Sequence, residues 1–527
     1  MELPLTILNW LLAFLPVLIV VVMMLIFRWG GSRAGGLGWL LAFLVAVFIF
    51  GAGFELLAVA QVKALLLSLD VLFIIWAALL LFNISREAGA IRMIGITLPR
   101  LTSDRVMQSL LIGWLMVSFI QGLGGFGVPV AVCAPMLVGL GYTPIQAVAM
   151  ASLGDGWGVT FGSLGTSFQS LMAVTGLTYE ELGPLSAILI GISSFPSGLL
   201  VAVIGNGWKS LKRALLPTLL LSGVMGVVQY FLVVNGLWTL GTTGASVVGL
   251  FVGFLLVRLP AFRNHDIETK KVELPKDNKG KEKSLWLSLI GYEILVVLAF
   301  GINLIPPIKS FLSQVVFSLD FPEVSTRFGW VTLAGPGRGI NLFAHPGVIL
   351  LYSCIISYFI YRRIGYLEKG ALKQIFGNVL KSGVNSSLGI LAMVGVASIM
   401  MHSGMTYLLA EGLSVSFSRE IYPAIAPFIG ALGAFITGSN TNSNVLFGAL
   451  QQSAAELLNL SVPLILAAQT AGGSLGSVLA PAKVIVGSST VGLAGEEGAV
   501  MRKILGYGLI TIVTVAVAAL VIAGIGN

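Results

Sequence analysis

Two charged residues stand where charge is expensive. Asp155 lies in "SLGDGWG" and Lys483 in "LAPAKVIVG", each inside an apolar run broken by glycine or proline. An ionisable group within a membrane segment costs about 2.5–3.5 kcal/mol on insertion scales, so it is by default a functional candidate. Asp155 is the candidate proton site, and its bland alternative is a cap on a broken helix. Lys483 either snorkels to an interface or faces a cavity, where it can meet a carboxylate. Burial and a close lysine act in opposite directions on an aspartate, so the distance between the two decides the outcome. Glu55, Asp70 and Glu293 also interrupt apolar runs. Lacking a paired break, they read as structural or interfacial.

Neutral polar groups cluster in four places. "AFITGSNTNSNVLFGAL" holds seven consecutive small or amide-bearing residues, Gly438 to Asn444, within an apolar run. Their side chains compete for backbone hydrogen bonds, which makes them poor helix formers. Ser439, Asn440, Thr441, Asn442 and Ser443 are candidate ligand groups there. "GLGGFG" (122–127) contributes Gly124, Gly125, Phe126 and Gly127, and "GDGWGVTFGSLGTS" contributes Thr160, Ser163 and Thr166. "QTAGGSLGSVLAPAKV" contributes Thr470, Gly473 and Ser474 beside Lys483. Helix ends at such breaks expose N–H groups and a positive partial charge, which suits an anion. A carboxylate held mainly by uncharged donors would be bound moderately and could be released.

Other chemistries find no footing. "GLGGFG" formally matches a dinucleotide fingerprint, yet an apolar helix precedes it and the acid expected about 20 residues on is missing. The histidines (His265, His345, His402) share no metal-ligand spacing, and Cys133 and Cys354 make no disulfide framework. No P-loop and no nucleophile–base pair occur. Neither enzyme, metal site nor cofactor is expected.

The elements that must hold these groups are membrane helices. The chain has 527 residues, 57% hydrophobic and 10% charged, with a mean hydropathy of +0.98. Soluble domains carry roughly 25% charged residues. Spans are expected at Leu5–Phe27, Leu37–Ala60, Val62–Phe82, Pro184–Gly205, Ala214–Val234, Val247–Val257, Leu285–Leu304, Pro346–Ile360 and Leu505–Ile525. With less uniform stretches the total is about 12 to 14 crossings. "MELPLTILNW" lacks a basic n-region, so the first span is expected to be retained. The net charge of +8 sits in connections between spans, as the positive-inside rule expects, and does not indicate nucleic acid.

Arg258 to Lys283 carries eight basic residues against five acids. It reads as a cytoplasmic linker, 259–284, which places the N-terminus outside. The linker separates two similar parts, 1–258 and 285–527. Each has three spans, an amphipathic stretch (Glu87–Arg105 or Met405–Glu420), then an apolar helix ending "FIQG" or "FITG". A re-entrant hairpin (106–140 or 423–458) and a broken helix (144–175 or 463–495) follow. One part begins outside and the other inside. Inverted repeats with discontinuous helices are the signature of secondary transporters. Non-helical backbone at membrane depth is tolerated only where protein buries it or it lines a watery cavity. The four broken stretches are therefore expected to converge near mid-membrane. The fold class expected is an all-α polytopic membrane protein built of two inverted repeats.

The blocks "GGFGVPVAVCAPMLVGLGYTPIQAVAMASLGDGWGVTFGSLGTS" and "GAFITGSNTNSNVLFGALQQSAAELLNL" with "QTAGGSLGSVLAPAKV" resemble the lactate permease family. The resemblance covers nearly the whole chain. It implies uptake of lactate, glycolate and similar short 2-hydroxy monocarboxylates with protons across the cell membrane. The hairpin layout and the triplet Ser439-Asn440-Thr441 are more distantly similar to the ion transporter superfamily. That likeness implies an elevator, with a scaffold, a hairpin-bearing transport domain, lateral arms at the amphipathic stretches and, by analogy, a homodimer. An acid and a base at Asp155 and Lys483 depart from the uncharged amides more usual in the lactate members. They leave other small organic anions open, and hydroxyl-rich breaks leave sodium coupling as the alternative.

Overall fold

The computed structural model describes every residue except 1–2, 28, 91–92, 94–101, 103, 126, 260–283, 338, 369, 494–496 and 526–527. The basic linker, Phe126 and most of the amphipathic stretch after the third span thus lie outside the described residues.

Before the linker run α1 (Ile7–Leu25), α2 (Gly31–Phe48), α3 (Phe54–Ala88), α4 (Arg105–Leu123), α5 (Val128–Gly139) and α6 (Pro144–Asp155). Next come α7 (Thr166–Thr175), α8 (Tyr179–Asn206), α9 (Leu211–Val234) and α10 (Gly241–Val257). After the linker run α11 (Leu285–Leu304), α12 (Pro306–Leu312), α13 (Pro346–Arg363), α14 (Ala371–His402) and α15 (Met405–Ser416). The chain ends with α16 (Tyr422–Thr437), α17 (Asn440–Leu457), α18 (Val462–Ser477), α19 (Pro481–Thr490) and α20 (Glu497–Ile525). Among the described residues eight helices are long and apolar enough to cross a membrane, or up to ten if two bent pairs each count as one span. The second of those pairs, α14 with α15, bends by 74°. The protein is a mostly helical, multi-pass membrane protein.

Two boundaries differ from the sequence expectation. Leu37–Ala60 is not one span, because α2 stops at Phe48 and α3 starts at Phe54. Between them Gly51 takes φ +67°, a conformation that favours glycine, and its carbonyl accepts a hydrogen bond from Arg327 N–H at 3.0 Å. Helix α3 then runs through the expected third span to Ala88, where Gly89 at φ +100° ends it.

The all-α expectation also misses a small β-ribbon. Six two-residue strands, β1 (Val316–Phe317), β2 (Asp320–Phe321), β3 (Val324–Ser325), β4 (Val331–Thr332), β5 (Gly335–Pro336) and β6 (Ile340–Asn341), pair antiparallel as β1–β6, β2–β5 and β3–β4. The ribbon rests on the ends of α3 and α14. There Lys63 Nζ lies 5.1 Å from the Phe321 ring centre, and Thr332 Oγ1 lies 3.1 Å from His402 Nδ1.

Each half contains a helical hairpin followed by a broken helix. Arg105 clasps the base of the first hairpin, α4–α5. Its guanidinium donates to the carbonyls of Leu140 and Gly141 and lies 4.1 Å from the Tyr142 ring centre. The Tyr142 hydroxyl donates back to Arg105 O at 2.6 Å. Helix α6 then starts on a capping box between Thr143 and Gln146, with Pro144 in the first turn. The second hairpin, α16–α17, packs on α18 so closely that a β-carbon at Gly472 would strike the Pro427 carbonyl, the small-residue contact typical of membrane helices. Helix α14 packs against α2 and α3, α8 against α18 and α20, and α17 against α7 across the two halves.

Candidate functional site

The hydroxyl- and amide-rich stretch 438–444 is more helical than its composition suggests. Only Gly438 (φ +69°) and Ser439 break the chain, and Asn440 to Asn444 form the first turn and a half of α17. The reason is local. The Ser439 side chain caps the helix by accepting Asn442 N–H at 3.3 Å, which turns the following amides into first-turn residues rather than a loop. The break after α6 is longer. Short 3₁₀ turns at Gly156–Gly158 and Ser163–Gly165 replace α-helix. Ser163 (φ +48°) and Leu164 (φ +56°) hold left-handed backbone, a strained choice for residues with side chains.

Thr160 sits where these breaks meet. Its N–H donates to Ser474 Oγ at 3.1 Å and its hydroxyl to Thr470 O at 3.1 Å. Asn440 Nδ2 donates to Thr160 Oγ1 at 3.1 Å and to Thr470 O at 3.2 Å. Ser474 Oγ in turn donates to Gly156 O at 2.7 Å. A β-carbon at Gly473 would collide with Asn440 Oδ1, so glycine there lets the amide approach. Residues 310 or more positions apart in sequence thus form one buried polar knot.

The remaining candidates distribute around the knot. Thr441 Oγ1 lies 3.1 Å from Ser167 Oγ. Ser439, Thr441 and Asn442 line a cavity of about 720 Å³. Ser443 faces away from that cavity, bonded to Gly430 O at 2.8 Å and to Gln469 Nε2 at 3.2 Å. Gly125 (φ +48°) packs against Ser163, so the first hairpin tip touches the first broken helix. Gly124 lies against Phe82 of α3, and Gly127 against Val486 of α19. Thr166 is buried in the first turn of α7, its carbonyl accepting Ser170 Oγ, and makes no side-chain bond to the knot among the described residues.

Asp155 and Lys483 meet. Lys483 Nζ is 3.6 Å from Asp155 Oδ2 and donates to Ser477 Oγ at 3.2 Å. Asp155 ends α6, and Lys483 is in the first turn of α19. The aspartate is fully buried, and neither carboxylate oxygen has a hydrogen-bond donor of normal length among the described residues.

Several groups escaped the sequence reading. Asn444 Nδ2 donates to Thr470 Oγ1 and to Ser167 O, both at 2.9 Å, tying α17 to α7 and α18. The side-chain amide oxygens of Asn440 and Asn444 are buried with no hydrogen-bond partner among the described residues. Tyr422, Gln451 and Gln469 chain hydrogen bonds at 2.8 and 3.1 Å behind Ser443. Asp70, read as structural, and His345, read as isolated, lie 2.7 Å apart, and Gln169 of α7 donates to the same carboxylate at 2.7 Å. An apolar run flags such an acid, but nothing local names partners 99 and 275 positions away.

Comparison with known proteins places the chain in a family. The profile of the family described as L-lactate permease matches residues 9–526. Glycolate permease GlcA of Escherichia coli (strain K12) is 27% identical over 530 residues, covering 95% of this chain and 93% of that protein. The L-lactate permease of Halalkalibacterium halodurans is 25% identical over 519 residues, covering 95% of each. Among solved structures, the YdaH transporter of Alcanivorax borkumensis superposes with a TM-score of 0.47 at 15% identity, over 86% of this chain and 85% of that one. These sequence relatives are permeases, not enzymes. The chain belongs to the L-lactate permease family of membrane transporters.

Proposed function

We propose that this chain imports lactate, glycolate or a similar short 2-hydroxy monocarboxylate by symport with protons. The observation that carries the reading is the knot at Thr160, where breaks from both halves meet beside the buried Asp155 and its partner Lys483. Uncharged hydroxyls and amides bind an anion moderately, and a buried acid offers a place for one proton. The names of the relatives, glycolate permease and L-lactate permease, point to the same substrates.

The reading includes the architecture that would move such a cargo. Residues 1–258 and 285–527 form two inverted repeats, joined by a cytoplasmic linker at 259–284, with the N-terminus outside. Counting α11, α13, α14 and the two broken helices with the long spans, and leaving out both re-entrant hairpins, gives about 12 crossings. Helices α1–α3 and α11–α14 serve as scaffold, and the hairpins with the broken helices as an elevator domain. By analogy with such carriers the chain works as a homodimer in the cell membrane. Asp155 takes the proton, and Lys483 is the counter-charge to the substrate carboxylate.

Purified protein in sealed vesicles tests the core of this. Labelled lactate or glycolate should accumulate when an inward pH gradient is imposed and not when only a sodium gradient is. Accumulation that follows sodium, or neither gradient, would overturn proton symport.

A further inference from the structure

The 720 Å³ cavity at the second hairpin has two unlike walls. One is the hairpin tip, with Thr437, Ser439, Thr441 and Asn442. The other is the start of α2, Trp29 to Arg33, closed behind by Ile75 of α3 and by Gly389 and Ile390 of α14. The walls nearly touch, since a β-carbon at Gly31 would lie 3.7 Å from Asn442 Nδ2.

Arg33 is the one charged side chain among the described residues of that lining. It is exposed, bordering both this cavity and a shallower groove beside Trp39 and Leu388, and no carboxylate pairs with it among the described residues. The backbone beside it is equally uncommitted. Gly30 caps α2 without a side-chain hydrogen bond, and the first intrahelical bond is Ala34 N–H to Gly30 O. The N–H groups of Gly31, Ser32 and Arg33 are therefore left over. Facing them, the hydroxyls of Ser439 and Thr441 and the Asn442 amide supply neutral polar contacts. A guanidinium, a free helix start and hydroxyls around a space of this size are the elements of a carboxylate receptor.

We propose that Arg33 binds the substrate carboxylate in this cavity and sets the preference for carboxylates over their neutral analogues. The proposal rests on the carrier reading above. It adds a direct hydrogen-bonded contact from a residue on α2, opposite the hairpin tip, and leaves Lys483, whose ammonium lies with Asp155 and Ser477, as the second and more distant counter-charge. Guanidinium recognises a carboxylate through two parallel hydrogen bonds. The 2-hydroxyl of the acid is left to the tip residues. A neutral amide of the same shape lacks the charge and should be refused.

The competing role for Arg33 is topological, a positive residue that merely fixes orientation. Ligand-induced thermal stabilisation of purified protein separates the two, with lactate, glycolate and their neutral amides as probes. Wild type should be stabilised by the acids and not by the amides. Arg33→Gln should weaken acid binding at least tenfold, and Arg33→Lys, which keeps the charge, should recover part of that loss. Asn442→Asp, which sets a carboxylate on the facing wall, should weaken acid binding at least tenfold with Arg33 intact. This second variant keeps the test decisive if Arg33→Gln does not fold. Undiminished affinity in Arg33→Gln, or in Asn442→Asp, would overturn the proposal. If wild type prefers a different carboxylate, the substrate class proposed above fails, and the Arg33 variants are scored with that carboxylate instead. If no carboxylate stabilises wild type, both readings fall.

Discussion

His345 donates to Asp70 across 2.7 Å, although 275 residues separate them in the chain. The direction follows from the other ring nitrogen. Nδ1 accepts Gly347 N–H at 3.1 Å, so the proton of the neutral ring sits on Nε2 and points at the carboxylate. Phe73 stacks on the imidazole at 5.3 Å, and Gln169 Nε2 donates to the second carboxylate oxygen at 2.7 Å. Three helices, α3, α7 and α13, are pinned at one buried point.

Removing either partner should therefore cost more than one surface contact. Asp70→Ala strands the His345 donor and the Gln169 amide, and each buried donor left unsatisfied costs about 1–3 kcal/mol. Thermal unfolding of purified protein should show a large fall in midpoint for Asp70→Ala. His345→Gln, which keeps a neutral donor, should fall clearly less. Equal losses in the two variants would contradict the hydrogen-bond assignment.

Asn440 is expected to act on both folding and binding. Its amide spends its two protons on Thr160 and Thr470, which join a broken helix of each half. Asn440→Ala should weaken substrate binding about tenfold, as expected when two buried hydrogen bonds that position the site, each worth about 0.5–1.5 kcal/mol, are lost. Thr441→Ala, which loses the link to Ser167, should weaken it too. Unchanged affinity in both variants would remove the second hairpin tip from the site.

How much of this was legible can be judged residue by residue. Long apolar runs marked α1, α8, α9 and α20, because hydropathy over about 20 residues is a strong signal. The break before Asn440 was legible from composition, but its shortness was not. It depends on Ser439 capping the next turn, a matter of backbone geometry. The ribbon of two-residue strands is too short to show alternation. Arg33 was covered only by the general reading of basic residues between spans as topogenic, because a binding arginine and a snorkelling one look alike in sequence. Partners of Asp70 were hidden by chain separation, since no local pattern pairs an acid with a histidine 275 residues on.

The first hairpin tip offers a test based on close packing. Gly125 holds φ +48°, and a β-carbon there would collide with Ser163 Oγ. Gly125→Ala should then reduce uptake strongly, through a left-handed backbone cost of about 1 kcal/mol plus the steric clash. Ser163→Gly removes both the hydroxyl and a second strained residue. The double variant should recover part of the lost uptake, while the backbone cost at position 125 remains. No recovery would mean that the tip does not act through the first broken helix.

The last prediction concerns Asp155 and Lys483. Their 3.6 Å separation makes each the charge partner of the other. Lys483 has a second acceptor in Ser477, whereas Asp155 has no hydrogen-bond donor of normal length among the described residues. The two groups are thus unequally held, and Asp155 is the one whose charge depends on a single neighbour. If a proton on Asp155 accompanies the substrate, the ammonium is released from its partner during that step and can offset the incoming carboxylate. Asp155→Asn fixes the site in a neutral form of nearly the same shape. It should allow labelled substrate to exchange for unlabelled substrate across vesicles while abolishing accumulation driven by a pH gradient. Lys483→Gln should impair both, because the buried aspartate then loses the one counter-charge it has among the described residues. The double variant, with no buried charge, should regain exchange but not accumulation. Intact pH-driven accumulation in Asp155→Asn would take the aspartate out of coupling and leave it as the polar end of α6.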